Sequence, residues 1–139
     1  MKTKAILGAA ILAAGVGSAA QAQFMTAAEV KPILEMTQAN WLAVRVWDGQ
    51  DLLYFTHLMT FRCGLEEVFY GINGESPDKV LPMEPCYEGT ASPASMDPVT
   101  HPPYVAFPVG SVHSVNIMMM YDDGDIQEAS FERAQIQIQ

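Results

Sequence analysis

Three histidines, a methionine run and an aspartate-rich turn carry the donor atoms with which this 139-residue chain could hold a metal ion. His57, His101 and His113, taken with Met118-Met119-Met120, offer the imidazole and thioether ligands that suit copper. Successive side chains of a strand point to opposite faces, however, so Met119 must face away from Met118 and Met120. One copper centre cannot use all three, and methionine in a strand is ordinary packing material. Asp122, Asp123 and Asp125 converge on the turn at Gly124 and could hold calcium, but the longer ligand series of an EF-hand is missing. Asp and Gly at a hairpin tip need no metal to explain them. The expectation is a chain with no metal and no other cofactor. His57, His101, His113, Asp122, Asp123 and Asp125 are its candidate ligands should that expectation fail.

Catalytic chemistry has less to work with. No Gly-x-Ser-x-Gly elbow occurs, and neither cysteine sits in a setting that would activate a thiolate. Sixteen Asp and Glu ensure that some pair has a glycosidase-like separation by chance, while Asp48, Asp51, Glu66, Glu67 and Asp78 fit solvated turns and edges. No enzymatic activity is expected. Trp41 and Trp47 remain. They share a strand face with Ala43 and Arg45, near Tyr54 and Tyr70, and an exposed aromatic platform of that kind binds a sugar, a peptide or a protein. Burial of both tryptophans beneath an N-terminal helix is the favoured alternative, because large exposed apolar patches are uncommon on a monomer.

The start of the chain sets the compartment in which these residues work. Lys2 and Lys4, the uncharged run over residues 5–16 and the small-residue ending Ala20-Gln21-Ala22 have the pattern of a secretory signal peptide, cleaved after residue 22. The run is too short to span a bilayer, so a periplasmic or secreted chain with no integral membrane segment after cleavage is expected. Removing 22 of the 139 residues leaves 117, a length that suits one core. Five Lys and Arg then face sixteen Asp and Glu, a formal charge of −11 that repels phosphate backbones and disfavours nucleic acid as a partner. In an oxidising compartment two thiols on one small domain pair. A Cys63–Cys86 disulfide is expected, and closing its loop of 22 intervening residues removes denatured-state entropy worth roughly 3 kcal/mol.

The elements follow from periodicity. Thr26-Ala27-Ala28-Glu29 forms a capping box, and Val30, Ile33, Leu34 and Met36 make an apolar stripe, so residues 23–40 are a lead-in and a short helix that starts at the box. Pro32 implies a kink or a late start. From Trp41 the period becomes two, with strands over residues 41–47 and 52–62 joined at Asp48-Gly49-Gln50-Asp51. Leu53, Phe55, His57, Met59, Phe61 and Cys63 share the core side of the second strand. Val68, Tyr70 and Ile72 mark a third, which turns at Asn73-Gly74 toward Val80-Leu81. Prolines at 93, 98, 102, 103 and 108 leave room for one short strand over residues 104–107. Val115, Ile117, Met119 and Tyr121 line a strand that turns at Asp122-Asp123-Gly124-Asp125 into residues 126–131. Residues 134–139 alternate strictly after a break near Glu132-Arg133.

Seven or eight short strands and a Pro-rich crossing indicate a mainly β, two-layer antiparallel sandwich over residues 41–139. It would be immunoglobulin-like or fibronectin-like, with one N-terminal helix. An α+β layer with the helix across one curved sheet is the alternative. The function expected is that of a non-catalytic binding or accessory module of the cell envelope. It would contact an unknown protein partner through the C-terminal Gln-Ile edge strand or the Pro-rich segment. The second candidate is a small-ligand or metal-binding protein built on the histidines or the Asp-rich turn. Intact mass checks leader and disulfide together. Protein recovered from the exporting compartment should weigh residues 23–139 less two hydrogens and gain two hydrogens on reduction; retention of residues 1–22, or no change on reduction, contradicts the prediction.

Overall fold

The computed structural model describes residues 24–139, so the expected leader lies outside the described residues. Helix α1 (Ala27–Met36) begins at the capping box, where Thr26 Oγ1 accepts from the Glu29 amide and the Glu29 carboxylate accepts from the Thr26 amide. It runs through Pro32 without a late start. Ala27, Val30 and Leu34 are buried, but Met36 is 86 % exposed rather than part of the stripe. Two residues past Leu34, it projects about 200° around the helix from the buried line. At Gly64 a Cβ would lie 2.5 Å from Val30 Cγ2 and 2.8 Å from the Thr26 carbonyl, so only glycine lets α1 approach this closely.

Two four-stranded sheets follow. The first has the order β5-β2-β1-β8, from β1 (Ala43–Trp47), β2 (Gln50–Tyr54), β5 (Tyr104–Pro108) and β8 (Gln137–Ile138). The second has the order β4-β3-β6-β7, from β3 (Leu65–Ile72), β4 (Lys79–Val80), β6 (Ser114–Tyr121) and β7 (Ile126–Glu132). Asp48 and Gly49, both at positive φ, make the tight β1–β2 turn that the Asp-Gly pair favours. Val44 and Leu53 from the first sheet, the buried residues of β3 and β6, Phe131 and the α1 stripe share one core.

Three expectations need correction. Residues 52–62 are not one strand: β2 ends at Tyr54, and helix α2 (Thr56–Thr60) leads into a 3-10 turn at Arg62–Gly64. Phe55, Leu58, Met59 and Arg62 are all buried, at helical spacing; a period of two places Leu58 outside. Residues 134–139 do not form a continuous strand either, because a 3-10 turn at Arg133–Gln135 carries the chain from the second sheet to the first. It arrives alongside β1 in the same direction, so β1 and β8 pair in parallel and the layers are not wholly antiparallel. Asp51, thirdly, is fully buried rather than solvated.

Side chains, not regular structure, hold the crossing over residues 81–103. Arg62 is 3 % exposed, and each of its five N–H groups has an acceptor. Nε and Nη2 donate to Pro85 O at 3.1 and 2.9 Å. Nη1 donates to Met59 O at 3.0 Å and Ala94 O at 3.3 Å, and Nη2 also to Ser95 O at 2.7 Å. Glu84, equally buried, lies 3.7 Å from Nη2 and accepts the Asp97 amide on both carboxylate oxygens. The adjacent Cys63 is bonded to Cys86, with their Cα atoms 5.1 Å apart.

Asp51 anchors the opposite end. It accepts from Arg133 Nη1 at 2.7 Å and from the Gly110 and Val112 amides at 3.0 and 3.2 Å. Burial pushes its carboxyl up, but Arg133 and the two amides outweigh this and hold it below the ordinary aspartate range. A lowered folded-state value means that the charged pair stabilises above about pH 4 and that this contribution is lost as pH falls through the lowered value. Asp51→Asn should therefore cost about 2–3 kcal/mol at pH 7, read from urea unfolding, with the gap to the unmodified protein narrowing in acid. Equal stabilities at pH 7 would contradict the assignment.

Candidate functional site

Strand register decides which side chains share the outer face of the first sheet. Ala43, Tyr54 and Tyr104 form one cross-strand row, Arg45, Leu52 and Ala106 the next, and Trp47, Gln50 and Pro108 the third. The alternate row of Val44, Leu53 and Val105 joins the core. On the outer face Trp47 is 56 % exposed, and the Arg45 guanidinium lies 4.4 Å over its indole. Tyr54 and Tyr104 pair with ring centroids 5.2 Å apart. Trp41 does not join them: it is fully buried, donates from Nε1 to Leu34 O at 2.9 Å and packs beside Phe131. The two tryptophans therefore divide between core and surface. Tyr70 is a core residue against Phe55.

Beyond the Ala43–Tyr54–Tyr104 row the face opens into a cleft of about 300 Å³. Four elements furnish its polar lining: Asn40 from the 3-10 turn after α1, Tyr54 from the end of β2, Thr56, His57 and Thr60 from α2, and Gln137 and Gln139 from the C-terminal strand region. Trp41 and Ala43, both buried, lie beneath it. Among the described residues no Asp, Glu, Lys or Arg lines it. Gln137 Nε2 donates to Asn40 Oδ1 at 2.8 Å, fixing the two amides to each other.

The protonation of His57 can be worked out from its neighbours. Thr37 has one hydroxyl proton, and its Oγ1 lies 2.6 Å from the Ile33 carbonyl, which can only accept. The 2.8 Å contact between Thr37 Oγ1 and His57 Nε2 must then be donated by the imidazole. The neutral ring is the Nε2–H tautomer, with Nδ1 as an acceptor. Partial burial lowers the His57 pKa, favouring this neutral form, and Phe61 packs edge-on at 5.3 Å.

The other candidate ligands lie elsewhere. His101 borders a separate small cleft with Met59, Met83 and Glu84, and His113 is exposed at the start of β6. Asp123 and Asp125 already face a cation of the chain, since Lys31 Nζ stands 2.9 Å from Asp123 Oδ2 and 2.5 Å from Asp125 Oδ2. Those carboxylates raise the Lys31 ammonium above its ordinary range. Asp122 lines an acidic cleft with Glu66, Glu67, Glu84 and Glu88, and burial together with Glu66 and Glu88 raises its carboxyl. Among the described residues no three His, Cys, Asp or Glu side chains gather as a metal-binding group.

Sequence reasoning missed Tyr104, which meets Tyr54 only once β5 pairs with β2. It also missed the amides of Asn40, Gln137 and Gln139, which arrive from both ends of the described chain. No family model, curated protein or solved structure matches the chain. The imidazole assignment has a direct check: long-range ¹⁵N correlation NMR should show the Nε2–H tautomer of His57 titrating below its ordinary pKa of about 6.5. Because the folded-state value is the lower one, stability should decline as pH falls from about 6.5 toward it. An Nδ1–H tautomer, or a midpoint above the ordinary value, contradicts the assignment.

Proposed function

We propose that this chain is a non-catalytic binding module of the cell envelope, exported to the periplasm or secreted, with the outer face of the first sheet as its binding surface. One observation carries the proposal: the Arg45–Trp47 and Tyr54–Tyr104 pairs are presented together on that face, beside a cleft. Aromatic rings held on a rigid sheet offer contact area at little cost in side-chain entropy. The leader pattern and the Cys63–Cys86 bond support export.

The strand order supports an immunoglobulin-like or fibronectin-like sandwich. Immunoglobulin constant domains divide their strands as ABED and CFG. β1, β2 and β5 take the A, B and E positions, and β3, β6 and β7 the C, F and G positions. β4 differs in sitting beside β3 rather than in the first sheet.

The face is a better surface than the C-terminal edge. β8 pairs over only two residues, and the β5 edge is bounded by Pro102, Pro103 and Pro108, a means of blunting strand addition. A metal on the Asp-rich turn would have to displace Lys31. The net charge of −9 for the whole chain argues against nucleic acid. Photo-cross-linking in the exporting host tests the surface. A photoreactive phenylalanine analogue in place of Trp47 or Tyr104 should give adducts absent when it replaces Val80 or Ile126, exposed residues of the second sheet. Adducts only from the second sheet, or none, overturn the proposal.

A further inference from the structure

The cleft and the aromatic face together define a ligand class, an inference that rests on the binding reading above. The cleft is lined by groups that both donate and accept without carrying charge: the amides of Asn40, Gln137 and Gln139, the hydroxyls of Tyr54 and Thr56, and the His57 imidazole. Such a lining is notable in a chain with sixteen acidic residues. Vicinal hydroxyls need neighbouring donors and acceptors of this kind, whereas an ammonium, carboxylate or phosphate would meet no Asp, Glu, Lys or Arg side chain there. Mutual bonding leaves the Asn40 NH2 group and the Gln137 carbonyl oxygen without a hydrogen-bond partner among the described residues.

The aromatic rows give the ligand its length. Tyr54 and Tyr104 stand at the mouth of the cleft, and Trp47 lies on the same face four strand residues away, about 13 Å along the sheet. The apolar faces of sugar rings pack on exposed aromatic rings, while their hydroxyls take up the amides. One ligand reaching from the cleft to Trp47 has to be an oligomer. We infer that this surface binds a neutral oligosaccharide, with one end in the Asn40–His57–Gln137 cleft and the chain running over Tyr104 toward Trp47. A peptide fits less well, because the neighbouring β5 edge is interrupted by proline and no Asp, Glu, Lys or Arg side chain lines the cleft to hold a charged terminus.

Titration of the oxidised protein, residues 23–139, with cellohexaose, maltohexaose and fully N-acetylated chitohexaose, all uncharged, followed by ¹H–¹⁵N NMR, tests this. At least one should bind, with shifts concentrated at residues 40–47, 54–60, 104–108 and 137–139. Affinity should change less than twofold when salt rises tenfold, as expected for an uncharged ligand. Tyr104→Ala and Asn40→Ala should each weaken binding at least tenfold with the thermal midpoint retained. Trp47→Ala should weaken the hexamer but leave a disaccharide of the same sugar unaffected. No binding by any of the three, or shifts confined to the second sheet, overturns the inference. If cross-links from positions 47 and 104 persist in that case and the adduct is polypeptide, the binding module stands and the saccharide falls.

Discussion

The guanidinium of Arg62 joins two parts of the chain that share no strand pairing. Met59 O belongs to the end of α2, while Pro85, Ala94 and Ser95 lie in the crossing between β4 and β5. Burying a guanidinium costs several kcal/mol unless its donors are met, and here all five are, with Glu84 supplying the opposite charge nearby. That demand makes the arrangement specific: a crossing displaced by one residue would leave both charges buried and unanswered. The neighbouring Cys63–Cys86 bond acts differently, since it limits the unfolded chain without choosing the path of residues 87–103. By fixing α2, Arg62 also fixes Thr56, His57 and Thr60, and hence one wall of the cleft.

The remaining cations show a division of labour. Arg133 meets Asp51 where the two sheets approach, Lys31 ties α1 to the β6–β7 turn, and Lys79 pairs with Glu75 across the β3–β4 connection. Arg45 is the one cation without a carboxylate partner among the described residues, and it lies instead over Trp47 on the outer face. Positive charge is scarce in this chain and structural at four of these five positions. The fifth stands on the surface assigned to binding.

Much of this was legible in the sequence wherever the cause was local. The Thr26–Glu29 box, the Asp-Gly turn and the alternation of Val115, Ile117, Met119 and Tyr121 each depend on residues within a few positions of one another. The cysteines paired because there were only two. Failures came where one pattern served two periods or where partners were distant. Residues 55–62 satisfy a strand or a helix until Leu58 and Arg62 are seen to be buried. The contact of Lys31 with Asp123 and Asp125 had no local signal, since the partners lie more than ninety residues apart in sequence. The cleft was invisible for the same reason: Asn40, His57 and Gln137 become neighbours only through α2 and the parallel placement of β8.

The dependence of α2 and the crossing on Arg62 is best tested by amide hydrogen exchange on Arg62→Met, which keeps an unbranched apolar stem and removes the charged guanidinium. Protection should be lost at residues 56–62 and 84–97 while the amides of β6 and β7 stay protected. Unchanged exchange at residues 56–62 and 84–97 would contradict the account, because those segments would then be held by something other than this guanidinium.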